Sequence, residues 1–173
     1  IDCAGDCFGS YLDASLSLSE GNNLVSFHAM PDDSSLSGVF GGLDLIGVIG
    51  EGSAAASIDG SWYGSLEEVD AESGYWVQSN ADGQDLYICG QSSNDVIYTL
   101  HEANNLISYP YEQAQTIGNA LPDDVEDVVY AIVGEGIAAI NLNSSGVWAG
   151  SLDGFDGGDG YVENKELTVN NFA

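Results

Sequence analysis

The chain has 173 residues and a formal net charge of −27 at pH 7, because 28 Asp and Glu stand against a single Lys. With almost no positive side chains to neutralise phosphates, this composition excludes nucleic acid as a partner and disfavours an anionic membrane surface. No apolar run is long enough to cross a bilayer, so we expect no membrane insertion. Such a chain suits a medium of high ionic strength, such as seawater, where self-repulsion is screened.

Residues 1–14 form an acidic, Gly-bearing N-terminal segment that has no second copy in the chain, and they hold Cys3 and Cys7. The third cysteine, Cys89, lies near the end of the first predicted module. A CxxxC spacing without a nearby His is a poor zinc signature. A disulfide in an oxidising compartment is the better interpretation. The short spacing favours Cys3–Cys7, and a bond from either residue to Cys89 is the alternative.

Residues 15–90 carry the apolar pattern of a small β-rich module. Leucines alternate with serines at its start, an extended apolar run follows at residues 24–27, and the short apolar run at residues 45–49 predicts a buried strand. Between these strands, Ser34 or Ser35 can cap a short helix whose apolar residues recur at helical spacing. These helical positions are Leu36, Val39, Phe40 and Leu43.

Residues 96–173 repeat the motifs of the first module in the same order, after a polar junction at residues 91–95. A second short helix is predicted between Thr116, as its cap, and Pro122, and a second buried strand at residues 128–133. The repeated motifs are Glu-Gly-Asn-Asn-Leu-Val-Ser-Phe (20–27) with Glu-Ala-Asn-Asn-Leu-Ile-Ser-Tyr (102–109), Gly-Glu-Gly (50–52 and 134–136), and Trp-Tyr-Gly-Ser-Leu (62–66) with Trp-Ala-Gly-Ser-Leu (148–152).

The fold class that follows is mainly β, a β-rich α+β protein of two tandem homologous modules. Each module is predicted to be a small antiparallel sheet or a partly open barrel that carries one short helix. Modules of this size bury a modest core, so we expect contact between them to contribute to stability.

The Gly-Glu-Gly motif places a glutamate, Glu51 or Glu135, at the same point of each module. Two carboxylates could serve acid–base hydrolysis, but these lie in different modules. We therefore interpret each motif as a turn whose Glu accepts backbone N–H groups or faces solvent, with a cation ligand as the second interpretation. His28 and His101 do not occupy equivalent positions, and no known catalytic motif is present. We predict no catalytic residues and no enzymatic activity.

Four aromatic residues beside small polar ones could form a platform for glycan rings or a protein interface. Trp and Tyr at strand spacing more often belong to a core with a hydrogen-bonded rim, and we favour that interpretation. The four residues are Trp62, Tyr75, Trp76 and Trp148.

Two acidic turns offer several carboxylates at short spacing, and the candidate calcium ligands are Asp82, Asp85, Asp153, Asp156 and Asp159. Neither turn reproduces the twelve-residue EF-hand loop with its closing Glu. Ordinary Asp/Gly turns are the favoured interpretation, and weak calcium sites are the alternative. We expect no required cofactor, with calcium as the one candidate ion.

The repeated motifs, together with Gly-Tyr-Trp-Val at residues 74–77, resemble tandem modules of large secreted or cell-surface proteins of marine microbes. In such proteins the modules often follow Asp-Cys-x-Gly-x-Cys repeats, and residues 2–7 are similar to the last of such a series. The resemblance implies an extracellular or cell-surface location and no established activity. The second copy departs from it, since Gly-Tyr-Val at residues 160–162 lacks the Trp.

We therefore expect a secreted, non-enzymatic structural protein that self-assembles into an extracellular filament or surface layer, aided by divalent cations. Two similar modules give each subunit two similar faces, and a head-to-tail contact between them propagates without closing. The N-terminal segment and the sheet edges are the expected donors, by strand addition to a neighbour. The alternative is an extracellular carbohydrate-binding or adhesion module that uses exposed Trp and Tyr.

Overall fold

A computed structural model describes residues 11–92, 96–142 and 146–165 of the chain. Within these residues the fold is mainly β, with several antiparallel sheets and short helices, which confirms the predicted β-rich α+β class. No helix in this part of the chain is both long enough and apolar enough to span a membrane.

The described part of the first module contains two sheets. Its elements are β1 (Tyr11–Leu18), β2 (Gly21–Val25), β3 (Ala29–Met30), α1 (Leu36–Phe40), β4 (Leu45–Ile49), β5 (Ala54–Ile58), β6 (Ser61–Gly64), β7 (Tyr75–Ser79) and β8 (Gln84–Ser92). One sheet has the order β2-β7-β4-β5-β6, and the other has the order β1-β8-β3. Because β1 begins at Tyr11 and pairs with β8 throughout, residues 11–14 of the predicted N-terminal segment belong to the second sheet. Residues 1–10 lie outside the described residues.

The second module repeats the five-stranded sheet of the first. Its described elements are β9 (Ala103–Ser108), β10 (Gln115–Thr116), α2 (Ile117–Ala120), α3 (Asp123–Glu126), β11 (Val129–Val133), β12 (Ala138–Asn141), β13 (Trp148–Gly150), β14 (Gly154–Phe155) and β15 (Gly160–Lys165). The order β9-β15-β11-β12-β13 matches β2-β7-β4-β5-β6 strand for strand, and β10 pairs with β14 in a small separate sheet.

In two of the three short helices within the described residues, the helix begins after the residue that the sequence offers as a cap. The Ser35 hydroxyl accepts a hydrogen bond from the backbone N–H of Gly38 at 3.1 Å, which confirms the predicted cap of α1, although the helix ends before Leu43. Thr116 precedes α2 without a side-chain cap bond. The sequence did not predict α3, which starts after Pro122 and has three acidic residues in its first turn, where they favour the helix dipole.

Each module has its own apolar core. In the first core the ring of Phe27 contacts those of Phe40 and Tyr75, and in the second Tyr109 stacks on Phe155.

The two strands predicted to be buried are buried on one face only. In β4, Val48 points into the core while Ile46 and Ile49 are exposed, and in β11 Ile132 is buried while Val133 is exposed. The continuous apolar runs indicated burial on both faces, and that expectation was wrong, because in the described residues nothing covers the outer face of either five-stranded sheet.

Candidate functional site

The Gly-Glu-Gly motifs form matching turns between neighbouring strands. The backbone N–H of Gly50 donates to the carbonyl of Ser53 at 2.9 Å, and that of Gly134 donates to the carbonyl of Ile137 at the same distance. Each turn therefore holds its glutamate at the tip, between β4 and β5 or between β11 and β12.

The two glutamates reach across to the opposite module. One carboxylate oxygen of Glu51 accepts the backbone N–H of Leu106 at 2.7 Å, and one of Glu135 accepts the backbone N–H of Leu24 at 2.9 Å. Leu24 and Leu106 are equivalent residues of the repeated Asn-Asn-Leu motif. The predicted role as acceptors of backbone N–H groups is confirmed, and the bonds join the modules reciprocally.

Backbone contacts beside these carboxylates follow the same reciprocal pattern. The N–H of Ser26 donates to the carbonyl of Gly158 at 2.7 Å, and the N–H of Ser108 donates to that of Glu72 at 3.0 Å. The hydroxyls of both serines also donate to carbonyls of the other module. The two modules thus form one interface, in which the backbone N–H groups of the equivalent serines reach equivalent carbonyls and their hydroxyls reach non-equivalent ones, Asp159 and Ala71.

Glycines at equivalent positions allow this close approach. A Cβ on Gly74 would lie 2.7 Å from the carbonyl oxygen of Ile107, and one on Gly160 would lie 2.7 Å from that of Val25. Each glycine opens a Gly-Tyr motif, at the residue before β7 in the first module and at the first residue of β15 in the second. The repeated motifs therefore encode the docking of the modules as well as their separate folds.

The charged surroundings of the two glutamates differ. The ring of His101 contacts the Glu51 carboxylate, and the pKa of His101 is raised, first by a hydrogen bond to the backbone carbonyl of Glu102 and then by Glu51. Near Glu135, the pKa of Asp159 is raised by partial desolvation and then by the charges of Asp156 and Glu135. One glutamate therefore lies beside a histidine, while the other lies near further carboxylates.

The second Asn of the repeated motif is structural in both modules. The Asn23 side chain is buried, accepts the N–H of Ser19 at 2.8 Å and donates to the carbonyl of Ser19 at 2.9 Å. Asn105 does the same with the N–H and carbonyl of His101, at 2.8 and 3.0 Å. A buried amide that satisfies the preceding turn in this way leaves no group for a ligand.

The Trp-x-Gly-Ser-Leu motif holds two strand ends together. The N–H groups of Ser65 and Leu66 both donate to the carbonyl of Ala54, and those of Ser151 and Leu152 both donate to the carbonyl of Ala138. The intervening glycines leave room for this approach. This motif therefore builds each sheet, and its leucines are buried in the two cores.

Three of the four aromatic candidates contribute to packing. Trp62 is half-buried with its ring centroid 6.0 Å from that of Phe40, and the Trp148 indole N–H donates to the Glu126 carboxylate at 2.8 Å. Tyr75 is buried, its hydroxyl accepts the N–H of Asp70, and burial raises the pKa of Tyr75 to about 12. Trp76 is half-buried in β7. The positions of Trp62, Tyr75 and Trp148 agree with the favoured core interpretation, whereas Trp76 lies opposite the exposed Ile49 of β4 and is not part of the core.

The first acidic turn uses its carboxylates in hydrogen bonds to β1 and the turn that follows β1. Asp82 accepts the backbone N–H of Glu20 at 2.7 Å, and Asp85 accepts the hydroxyl of Ser17 at 2.9 Å. Asp153, Asp156 and Asp159 lie around β14 and the start of β15. The described residues contain no group of three or more His, Cys, Asp and Glu side chains placed to hold a metal ion. Calcium binding stays a prediction.

The cysteines are divided between described and undescribed parts of the chain. Cys89 lies in β8 opposite Asp13 of β1. Cys3 and Cys7, which the sequence offers as its disulfide partners, lie outside the described residues. The pairing stays a prediction.

The most prominent feature that the sequence did not predict is an exposed apolar surface on each five-stranded sheet. We call these surfaces the first and second outer faces. They consist of Ile46, Ile49, Ile58 and Tyr63 in the first module, and Tyr130, Val133, Ile140 and Leu142 in the second. The signal was present in the sequence, since the repeated runs are apolar at the outward as well as the inward positions.

No protein-family model, no curated protein and no solved structure matches the chain. The function must therefore be argued from the geometry alone.

Proposed function

We propose that the protein is a secreted structural unit without enzymatic activity, which associates with copies of itself into an extracellular filament or surface layer. The observation that carries the proposal is the pair of exposed apolar outer faces. Large apolar patches on a soluble surface commonly mark interaction sites.

The repeat supports a selected role for these faces. Ile46 and Tyr130 are equivalent positions, as are Ile49 and Val133, and each pair is exposed and apolar. Ile49 is 52% exposed and Val133 is 42% exposed. The same property at the same place in both copies favours a contact that each module makes.

The distribution of charge supports self-association through the outer faces. Strands β4, β5, β6, β11, β12 and β13 contain no Asp or Glu, although the chain has 28. Copies with a net charge of −27 repel one another, and one Lys cannot form the ion pairs that would join them. A contact between uncharged faces keeps the carboxylates at its rim, as in ordinary protein interfaces.

The rim makes association dependent on salt. Glu51 and Asp59 lie in the turns at the ends of the first outer face, and Glu135 lies at the end of the second. Cations that screen these carboxylates would favour contact, because the Debye length falls to about 3 Å at 1 M salt. Calcium enters the proposal as a screening ion at these carboxylates.

The structural role also accounts for the glutamates. The carboxylates Glu51 and Glu135 bind backbone N–H groups between the modules, which supports a function in holding the subunit rigid rather than in catalysis. A disulfide is part of the proposal, with Cys3–Cys7 as the favoured pair and a bond from either residue to Cys89, which would tie the N-terminal segment to β8, as the alternative. Peptide mapping without reduction would identify the pair.

The test is sedimentation velocity and electron microscopy of the purified protein at low and at seawater ionic strength, with calcium or with a chelator. We expect the wild type to form large assemblies as the salt concentration rises. Ile49→Asp and Val133→Asp are expected to remain smaller, since each places a carboxylate in an outer face. Tyr87→Asp is the matched control, because Tyr87 is 74% exposed in β8, outside both faces. A wild type that stays monomeric under all these conditions would refute the proposal.

A further inference from the structure

The two outer faces are both apolar but differ in shape, since the first has a hollow where the second has a projecting side chain. On the first outer face, one row across the sheet runs Gln78, Gly47, Ala56, Tyr63, from β7 through β4 and β5 to β6. The two central residues are the smallest in the row. They leave a hollow of about 370 Å³ whose walls include Ile46, Ile49 and Tyr63.

The equivalent row of the second outer face has its large residue in the centre. Ile140 of β12 lies between Ala131 of β11 and Ala149 of β13. Ile140 is 42% exposed, and both of its neighbours on the row are alanines. Where the first outer face has a hollow, the second has a projecting side chain.

This difference in size repeats along the outer faces. Tyr130 replaces Ile46, which enlarges the second outer face beside the projection. Ala149 replaces Tyr63, which removes a wall at the position where the hollow has one. At these neighbouring positions the size of the side chain therefore differs between the modules, and the two outer faces differ in shape.

We propose that copies of this chain associate head to tail, with Ile140 of one copy seated in the hollow around Gly47 and Ala56 of the next. The inference rests on the proposed function, since it presupposes that copies associate. Stacked sheets interdigitate their side chains about 10 Å apart, so an isoleucine packs best against small residues on the facing sheet. Contact between two first faces would leave the hollow empty, and contact between two second faces would oppose two projections.

The consequence is an open polymer. A contact between different surfaces is heterologous, so a pair of bound copies still has one free face of each kind and can bind a further copy at either end. Repulsion between the acidic copies does not prevent the contact. Gly47, Ala56 and Ile140 lie in β4, β5 and β12, and these three strands contain no Asp or Glu.

Exchanging the central residues tests the inference with little risk to the fold, because both side chains point outward. Ala56→Ile fills the hollow with the isoleucine found at the equivalent position of the second module. Ile140→Ala removes the projecting side chain and leaves the alanine found in the first module. Each variant alone is expected to weaken self-association about tenfold or more, the effect of losing a central interface contact. Circular dichroism and thermal unfolding check that both variants keep the wild-type fold.

Mixing the two variants separates the proposed contact from its alternatives. The Ala56→Ile variant keeps an intact projection, and the Ile140→Ala variant keeps an intact hollow. An equimolar mixture should therefore form a species of twice the monomer mass in sedimentation velocity, and assemblies larger than this should be rare. A mixture that behaves as the sum of its components would overturn the head-to-tail arrangement.

The result for the wild type distinguishes this inference from the proposed function. If the wild type assembles and both exchange variants assemble equally well, the contact lies elsewhere and only this inference fails. If Ala56→Ile alone forms dimers with wild-type affinity, the copies meet through like faces, which also refutes it. A monomeric wild type refutes the proposed function itself.

Discussion

The two modules share a five-stranded sheet but differ in the layer behind it. In the first module β8 runs between β1 and β3, and its Leu86 and Ile88 are buried in the core. In the second module, residues 96–100 occupy the place of β1 in the repeat, and no strand pairs with them among the described residues. An apolar groove of about 330 Å³ opens there, beside Tyr98 and Tyr109.

This difference separates two determinants of the fold. The strand order of the five-stranded sheet is the same in both modules, although the layer behind it is different. The sheet therefore depends on the motifs that the modules share, which lie in its turns and strand ends. The second layer depends on segments that have diverged between the copies.

The largest expected effect tests whether the shared motifs are equivalent. Gly64 has φ +157° and Gly150 has φ +158°, and a Cβ on either would lie 2.1 Å from a carbonyl oxygen on the neighbouring strand. We expect Gly64→Ala and Gly150→Ala each to lower the free energy of unfolding by about 4 kcal/mol, measured by chemical denaturation. Tolerance of Ala at only one of them would show that the modules do not share this geometry.

Gly52 and Gly136 provide the matched controls for that comparison. Both have φ +72°, and a Cβ on either meets no atom within 4 Å. Replacement by Ala should cost only the backbone strain of the left-handed conformation, about 1 kcal/mol. The excess at Gly64 and Gly150 then measures the clash itself.

The reciprocal glutamates allow the two halves of the interface to be compared. Leu24, whose N–H binds Glu135, is buried, whereas Leu106, whose N–H binds Glu51, is only half-buried. The loss of an acceptor should therefore cost more at Leu24, which makes Glu135→Ala the more damaging change. We expect a loss of about 2 kcal/mol for Glu135→Ala and about 1 kcal/mol for Glu51→Ala. Glu→Gln at each site retains a carbonyl acceptor and should restore part of the stability. Equal and negligible effects would contradict a role in joining the modules.

A smaller effect on stability is expected at the turn where the first module has a glycine and the second has an alanine. Ala103 has φ +73°, whereas its counterpart Gly21 has φ +100°. Because the left-handed conformation strains any side chain with a Cβ, Ala103→Gly should stabilise the protein by about 1 kcal/mol. The reverse change, Gly21→Ala, should destabilise it by a similar amount. Thermal unfolding of both variants would reveal whether the two turns are interchangeable.

The smallest effect concerns the two histidines, which respond to pH with opposite signs. Burial lowers the pKa of His28, so stability should fall as the pH drops through about 6.5 and only the unfolded chain takes up the proton. The pKa of His101 is raised, so its contribution is present below about 6.5 and is lost as the pH rises through the folded value. His28→Asn should remove the fall in stability at low pH, and His101→Gln should remove the stabilisation that His101 contributes at low pH. The readout is the midpoint of denaturation between about pH 5 and pH 8.

Part of this structure could be predicted because it depends on neighbours in the chain. The alternation of leucines with serines indicated β1, and Ser35 with Leu36, Val39 and Phe40 indicated α1. Helix α3 escaped prediction because its four residues are too short for a periodic pattern, and its acidic first turn resembles an ordinary polar loop.

The outer faces were missed for a different reason. An apolar run such as residues 45–49 indicates that both sides of a strand avoid water, and burial inside one chain is the simplest cause. The structure leaves Ile46 and Ile49 exposed, so a cover must come from outside the described residues or the side chains stay in water. A run of residues cannot distinguish these cases, because the neighbouring layer is not part of the strand.

The sequence by itself determined that there are two homologous β-rich modules, that glutamates occupy matching turns, and that the surface is acidic. These properties follow from local spacing and composition, which do not require knowledge of distant contacts. Only the tertiary structure decided that Glu51 and Glu135 bind the opposite module, and that one outer face is hollow where the other projects. Such contacts depend on how sheets dock and which side chains stand in one row, and residues far apart in the chain set both.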